Sequence, residues 1–347
     1  MASFSRRKLL GRGRRATVHC WARCVRRAFL CGRDPYTGKD YSHRRRWIKT
    51  REEQLAALFA IEIEFRAELS NHLHLVLRTR PQIARRWSAR EVARRWLTIT
   101  KLAKCLSDDL PEPDEQKVRE LARDKKRIGK LRRRLSNVSW FMGVLSENVA
   151  RRANAEEDCK GRFWETRFRS RECTTASSLL LCGIYVDLNP IRAGEASRPE
   201  TARYTSVFER LQADAQGKNS RQRADGWLAE LTLGPERKAD TPWAYRSRSG
   251  RRASDLGVLP ISLSDYVRLL KWTARMLGSG QRRTIPSDLA AVLDRLQVKE
   301  EAWLDSVAEY EESFGHAVGP PAALAEVAAR MELQHMKGAS ASRRLFA

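Results

Sequence analysis

Two histidines, two residues apart, are the first side chains in this sequence whose type and spacing could support chemistry. They lie in the segment SNHLHLVLRTR at residues 70–80. If this segment is extended, His72 and His74 point to one face with Val76, and the leucines between them point to the other face. The imidazoles are then either polar residues on the wet face of a half-buried strand or two ligands of one metal ion. The motif alone does not separate these interpretations.

A tyrosine and an asparagine four residues apart form a second candidate pair, in the apolar stretch ASSLLLCGIYVDLNP. On a helix, Tyr185 and Asn189 lie on one face. Pro190 disfavours helical backbone at Asn189, so the helix is predicted to end there. A phenol and a carboxamide would then lie at the C-terminal end of a buried helix. Taken alone, such a tyrosine is more often a core aromatic with a hydrogen-bonded hydroxyl.

The charge of the chain indicates a polyanionic partner. Its 347 residues include 67 Lys and Arg against 42 Asp and Glu, a formal net charge of +25. Such an excess favours nucleic acid ahead of an anionic membrane surface. The longest apolar run, LLLCGIYV, is too short to span a bilayer, and the N-terminus lacks the apolar core of a secretory signal. We therefore expect no membrane partner and a cytoplasmic protein, whose seven scattered cysteines are reduced packing residues.

The elements that must position these side chains follow from local patterns. The first hundred residues are predicted to form strand, helix, strand, strand and helix, with Ser88 opening the last helix through a capping box. An inserted, solvent-exposed helix is expected at about 105–135, and a second amphipathic helix at 137–152. The stretch 161–173 alternates as a strand, and Thr174 or Thr175 caps the apolar helix that follows.

Composition divides the chain into three parts. Residues 14–214 are predicted to form the main domain, and residues 215–258, rich in Gly, Ser and Arg, a polar linker. Residues 259–340 show four helical patterns and are expected to form a small all-α unit. One of its patterns, KEEAWLDSVAEYEESF, is acidic, so this unit is not a uniform phosphate-binding surface.

Three motifs taken together resemble a known family. SNHLHLVL, GRFWETRF and YVDLNPIRAG, in this order, resemble the IS200-like, REP-associated tyrosine transposases, which are single-tyrosine HUH nucleases. The resemblance covers roughly residues 14–210. It implies an α+β fold, a ferredoxin-like HUH palm with an antiparallel sheet, to which this chain adds its α-helical C-terminal unit.

The resemblance also implies roles for the candidate residues. Tyr185 matches the catalytic nucleophile, and His72, His74 and Asn189 match the ligands of a divalent metal, Mg²⁺ or Mn²⁺. The implied reaction is cleavage and rejoining of single-stranded DNA in hairpin-containing substrates, through a 5′-phosphotyrosine. A phenol with a pKa near 10 must lose its proton as it attacks, which is why a Lewis acid and a proton acceptor are needed.

Basic residues around the aromatic motif are the predicted DNA contacts. GRFWETRFRSR mixes stacking surfaces with phosphate-binding groups, as expected for unpaired bases. The predicted DNA-binding residues are Arg162, Arg167, Arg169, Arg171 and Arg192. Alternation assigns Trp164 and Phe168 mainly to packing and Phe163 to the other face.

Two alternative functions stay open at this point. One is a nuclease of the replication-initiator or relaxase type; many of these carry a second catalytic tyrosine, and the next one here is Tyr204. The other is a catalytically silent, domesticated DNA-binding protein. Whether the protein acts as a monomer or a dimer does not follow from the sequence.

Overall fold

The protein's architecture comes from a computed structural model that describes residues 13–25, 29–217, 223–233, 247, 249–280 and 284–346. The strands are β1 (Thr17–Arg23), β2 (Ile61–Glu68), β3 (His72–Thr79), β4 (Arg169–Cys173) and β5 (Ala317–Val318). The helices that precede β4 are α1 (Arg44–Leu58), α2 (Pro81–Arg86), α3 (Ala89–Leu102), α4 (Glu115–Arg123), α5 (Lys125–Arg134) and α6 (Val138–Glu156). Those that follow it are α7 (Ala176–Arg192), α8 (Ser206–Ala215), α9 (Leu263–Ser279), α10 (Ser287–Arg295), α11 (Trp303–Ala308), α12 (Tyr310–Ser313), α13 (Pro321–Met331) and α14 (Ala339–Leu345).

The predicted α+β class is confirmed, and the strands form one sheet in the order β2-β3-β1-β4-β5. The pairs among β2, β3, β1 and β4 are antiparallel, as expected. The β4–β5 pair is parallel, so the sheet as a whole is mixed. The prediction of a purely antiparallel sheet is wrong at this edge, because a strand from the C-terminal unit was not foreseen.

The sheet buries a different core on each face, as the alternation in β3 predicts. Leu73, Leu75 and Leu77 pack into a core with α1 and α3–α6. Val76 belongs to a second core on the opposite face, together with α7 and the C-terminal helices. The histidines of β3 therefore face α7, because they share the face of Val76.

The capping signals position two helices as predicted. Ser88 accepts a hydrogen bond from the Glu91 backbone N–H at the start of α3. Thr175 caps α7 in a capping box with Ser178. The predicted end of α7 at Asn189 is wrong, because the helix continues to Arg192 with Pro190 in its last turn. Proline removes one N–H donor there, and later bonds such as Ala193 N–H to the Asn189 carbonyl maintain the turn.

The insertion at 105–135 consists of two helices rather than one exposed helix. α4 and α5 meet at Asp124, whose carboxylate accepts a hydrogen bond from the Arg127 N–H and caps α5. Val118, Ile128 and Leu131 are buried in the core beneath α3. One face of the insertion is therefore packed, while its basic residues cover the other.

The segment predicted as a linker packs against the sheet wherever it is described. The Ala229 N–H donates to the Ile63 carbonyl of β2, and Trp227 is fully buried. The Arg78 guanidinium of β3 donates to the carbonyls of Leu256 and Gly257. Residues 218–222, 234–246 and 248 lie outside the described residues. The linker interpretation is thus wrong for the described part, because its apolar residues and backbone complete the β2 side of the sheet.

The C-terminal unit is neither all-helical nor separate. β5 extends the sheet beside β4, and the long acidic pattern at 299–314 is divided into α11 and α12. Trp303, Val307 and Tyr310 are buried in the same core as α7. The two parts therefore share a hydrophobic core, which composition alone did not indicate.

The predicted strand at 161–173 is shorter than expected. β4 begins at Arg169, and residues 161–168 form turns and an isolated bridge between Cys24 and Trp164. Phe163 and Phe168 are both buried in the core that contains Leu73, so the assignment of Phe163 to a different face is wrong. No disulfide forms among the described residues, and five of the seven cysteines are buried, as predicted. No helix in the described ranges combines the length and the apolar character that crossing a membrane requires.

One glycine sets how closely α7 approaches the sheet. A Cβ on Gly183 would lie 2.6 Å from the ring of Phe65 on β2. The register of β2 shifts between Ile63 and Phe65, which turns Phe65 towards α7 while Ile63 faces the other core. The absence of a side chain at Gly183 lets the helix lie directly on this ring.

We expect Gly183→Ala to lower the free energy of unfolding, measured in urea. Overpacking costs about 1–3 kcal/mol, which exceeds the gain of about 0.5–1 kcal/mol in helix propensity. Gly143→Ala is the matched control, because Gly143 is an exposed residue of α6 with open space around it. This control should keep or slightly raise stability. Equal stability of both variants would show that the close approach of α7 does not matter.

Candidate functional site

The paired histidines lie on the α7 face of β3, with ring centroids 4.9 Å apart. Burial, with a smaller contribution from Arg23, lowers the pKa of His72 to about 4. Burial and the neighbouring imidazoles hold the pKa of His74 well below its usual value. Both rings are therefore neutral near pH 7, which is the form that binds a metal ion.

A third histidine, His19, joins the pair from β1. The register places His19 opposite Val76 and thus on the same face as His74. Nε2 of His19 and Nδ1 of His74 lie 2.9 Å apart, within hydrogen-bond distance, and the rings are stacked. The sequence analysis gave His19 no role. Alternation along β1 could have indicated its face, but only strand pairing shows that it reaches His74.

Tyr185 on α7 lies over these histidines. Its ring is edge-on to His74, with centroids 5.8 Å apart, and 6.1 Å from that of His19. The side-chain amide of Asn189 donates to the Tyr185 carbonyl at 3.0 Å, which confirms that the two residues share a helical face. The structure therefore places Tyr185 next to His74, which lies beside His72, and Asn189 lies one helical turn after Tyr185.

Residues of the C-terminal unit complete the surroundings of Tyr185, and the sequence analysis missed them. The phenol O–H donates to Oε1 of Glu311 at 2.8 Å. The ring of Tyr310 stacks on that of Tyr185, with centroids 4.5 Å apart. Burial, followed by the Glu311 carboxylate, raises the pKa of Tyr185 above its usual value. No local pattern in the sequence connects Tyr185 with Glu311, because the two residues are 126 positions apart in the chain.

The five predicted DNA-binding arginines fall into two groups. Arg162, Arg167 and Arg169 are exposed. Arg171 is buried, and its guanidinium donates to the carbonyls of Tyr310, Glu311, Phe314 and Gly315. Arg192 is exposed, but its guanidinium donates to the carbonyls of Val307 and Ala308. In this conformation Arg171 is not a DNA contact, because β4 turns it towards the C-terminal unit.

The arrangement of the His74 ring fits that of a metal ligand. Nε2 of His74 is buried and has no hydrogen-bond partner, while Nδ1 of this ring faces His19. A ring held through one nitrogen, with the other unpaired, is the usual arrangement of a ligating histidine. No group of three His, Cys, Asp or Glu side chains in the described residues forms a metal site by itself. A third ligand would therefore have to be Asn189, as the motif implies, or water.

An open cleft of about 920 Å³ lies beside His72. Its walls come from the loop after β1, the turn between β2 and β3, and the residues after α7. The side chains that line it include Arg23, Arg33, Arg45, Asn71, His72, Arg203 and Tyr204. Arg23, Arg33 and Arg203 are exposed, and none of them forms an ion pair with a carboxylate in the described residues. The cleft therefore presents positive charge next to a site histidine.

Comparisons with known proteins give one structural similarity. No protein-family model and no curated protein matches the chain. A solved structure of a REP-associated tyrosine transposase bound to a REP hairpin is similar over 62% of this chain and 87% of that chain. The sequence identity is 13% and the TM-score is 0.35. A similarity at this level does not transfer residue roles from one chain to the other.

We expect Arg171→Ala to lower the free energy of unfolding by about 2–4 kcal/mol, because buried carbonyls lose charged donors. Arg169→Ala is the control, two residues earlier on the same face of β4 but exposed. It should change stability by less than about 0.5 kcal/mol. Urea denaturation of both variants measures this difference. An Arg171→Ala variant as stable as Arg169→Ala would contradict a structural role for the buried guanidinium.

Proposed function

We propose that this protein cleaves and rejoins single-stranded DNA through a covalent 5′-phosphotyrosine on Tyr185. The observation that carries this proposal is the packing of the Tyr185 ring edge-on to His74, beside His72, on one face of the sheet. An isolated core tyrosine does not require a buried, neutral histidine and a second, half-buried one as neighbours. The hairpin-containing substrate is part of the proposal through the family resemblance of the motifs.

In this reaction the phenol oxygen of Tyr185 attacks a phosphodiester and the 3′-oxygen of the upstream nucleotide leaves. The Tyr185 ring is held by Tyr310 and by the helix beneath it, so the nucleophile is oriented before DNA binds. Reversal by another 3′-hydroxyl rejoins ends without ATP, because the phosphotyrosine keeps the energy of the broken ester.

His72, His74 and Asn189 would hold a divalent cation, Mg²⁺ or Mn²⁺, at this site. The cation, when bound, would supply a Lewis acid that polarises the phosphodiester. His19 would orient the His74 ring through Nδ1, which leaves Nε2 available to the proposed metal ion. The neutral state of both β3 histidines keeps their lone pairs available at pH 7.

Two basic surfaces support a single-stranded substrate. The cleft beside His72 offers exposed Arg23, Arg33 and Arg203, and single strands bind in positively charged grooves. Arg162, Arg167 and Arg169 are exposed near β4 and remain proposed phosphate contacts. We place the strand that flanks the hairpin in the cleft, because His72 lies at its wall.

The ferredoxin-like palm is also part of this proposal. A βαββαβ chain with the strand order β2-β3-β1-β4 has the arrangement expected of that fold. β1, α1, β2 and β3 follow one another directly, and α3–α6 precede β4. β5 and the C-terminal helices add to this framework.

One observation favours a second candidate, an initiator-like nuclease that uses two tyrosines. Tyr204 lines the same cleft as His72, and its backbone has a φ of 66°, which non-glycine residues seldom adopt. The Arg45 guanidinium lies over the Tyr204 ring. In this candidate function Tyr204, and not Tyr185 alone, forms the covalent bond.

We expect Tyr185→Phe to abolish the covalent protein–DNA adduct, because it removes the attacking oxygen and keeps the ring. DNA binding should stay near the wild-type level. The measurement is a denaturing gel with a fluorescent DNA hairpin that carries a single-stranded flank, taken from DNA beside the gene. Tyr204→Phe is the matched control and should still form the adduct. Loss of the adduct in Tyr204→Phe alone would move the nucleophile to the cleft.

Metal binding is tested separately from cleavage, by calorimetric titration with Mn²⁺. His72→Ala and His74→Ala should lose Mn²⁺ binding, and Asn189→Ala should weaken it less, because a neutral amide is a poorer ligand. His19→Ala should weaken it by about 10–100-fold, as loss of an orienting partner does. His335→Ala, at an exposed histidine, is the control. Wild-type affinity in the His74 variant would contradict the metal site.

A further inference from the structure

We propose that Glu311 of the C-terminal unit is the general base that takes the proton from Tyr185 as the phenol attacks DNA. This assignment rests on the proposed function, since it concerns the same reaction. Its basis is the hydrogen bond from the phenol O–H to Oε1 of Glu311, at 2.8 Å. A general base must lie within this distance of the proton that it removes.

The other side chains around the phenol do not fit this role. The Arg192 guanidinium lies over the Tyr185 ring and the Asn189 amide donates to the Tyr185 carbonyl, but a guanidinium and an amide are not bases. His74 contacts the ring edge-on, but its Nδ1 is engaged with His19 and its Nε2 is the nitrogen assigned to the proposed metal ion. Among the described residues, the Glu311 side chain is the carboxylate that accepts the phenol hydrogen bond. Glu311 is exposed, so its carboxylate can exchange the proton with water.

The segment that carries Glu311 is fixed in place, as a catalytic group requires. Arg171 donates to four backbone carbonyls between Tyr310 and Gly315. Arg192 donates to two more, just before this turn. The Tyr310 ring, fully buried, stacks on Tyr185 and sets the next residue beside the hydroxyl. These contacts are part of the hydrophobic core that contains α7. If this segment opened like a cover, it would expose that core to water.

The proposed step balances without an additional reagent. The Tyr185 proton passes to Glu311 while the bond from the phenol oxygen to phosphorus forms and the bond from phosphorus to the 3′-oxygen breaks. The departing 3′-oxygen takes a proton from water, and the proton on Glu311 neutralises the resulting hydroxide. In the reverse step, water takes the proton of the incoming 3′-hydroxyl and passes a proton to Glu311, which protonates the tyrosine oxygen as the 3′-oxygen displaces it.

A phenol with its ordinary pKa near 10 needs a proton acceptor as it attacks, because little tyrosinate exists at pH 7. Burial and the adjacent carboxylate both oppose ionisation of the phenol before it reacts. The proton must therefore leave during the attack. The same carboxylate that disfavours free tyrosinate is positioned to receive that proton.

The test compares Glu311→Gln with Glu312→Gln in the full-length protein. Glutamine keeps the size of the side chain but is not a base, and Glu312 is an exposed neighbour. With the fluorescent hairpin, Glu311→Gln should form the Tyr185 adduct about 10²- to 10⁴-fold more slowly at pH 7. Hairpin affinity and thermal stability should stay at the wild-type level, and Glu312→Gln should react like the wild type.

The pH profile separates a base from a residue that only holds the tyrosine in place. In Glu311→Gln, hydroxide replaces the missing base, so the rate should rise about tenfold per pH unit between pH 7 and 9. The wild-type rate should depend less on pH over this range. Glu311→Asp, which keeps a carboxylate, should recover part of the lost rate.

Three results would overturn the assignment. An unchanged rate in Glu311→Gln would show that another group takes the proton. A faster rate would mean that Glu311 restrains the tyrosine, as part of an inhibitory cover. A wild-type protein that forms no adduct would refute the proposed function itself, and the role of Glu311 with it.

Discussion

The close packing of α7 against one face of the sheet is the constraint on which the rest of the site depends. Gly183 lets the helix lie on the Phe65 ring, and two residues later Tyr185 meets the histidines of β1 and β3. A helix displaced outward by one side chain would lose these ring contacts. The register shift in β2 has the same consequence, because it turns Phe65 towards the helix.

The second half of the chain is best understood as part of this packing. β5 pairs with β4, and α11 and α12 bury apolar residues against α7. The unit therefore adds to the core that contains α7 and brings Glu311 to the phenol. Removal of this unit would expose the Tyr185 helix and take away the phenol's hydrogen-bond acceptor. Under the proposed function, truncation of this unit would therefore damage both the core and the site.

The excess of positive charge has two physical uses. Several arginines are fully buried, among them Arg44, Arg51, Arg66, Arg80 and Arg210. Arg66 pairs with Glu52 and Glu68, and Arg210 donates to the carbonyls of Glu64 and Ala229. The planar guanidinium suits these sites because it satisfies several acceptors at once. The remaining exposed arginines, including those of the cleft, are the ones available to phosphates.

Local patterns in the sequence by themselves determined β1, β2 and β3, the two capped helices and the faces on which the motif residues lie. Alternation in β3 and the four-residue spacing in α7 depend only on near neighbours, so His72, His74, Tyr185 and Asn189 could be placed on their faces from the sequence. The spacing of hydrophobic residues within one segment does not show which distant segments of the chain it contacts.

Only the tertiary structure decided that His19 pairs with His74, that Arg171 turns inward and that Glu311 receives the phenol hydrogen bond. Strand pairing and a core shared across more than a hundred residues set these contacts, and composition had suggested a linker and a separate unit instead. The physical reason is that such contacts depend on complementary surfaces. No short window of the sequence contains both sides of one.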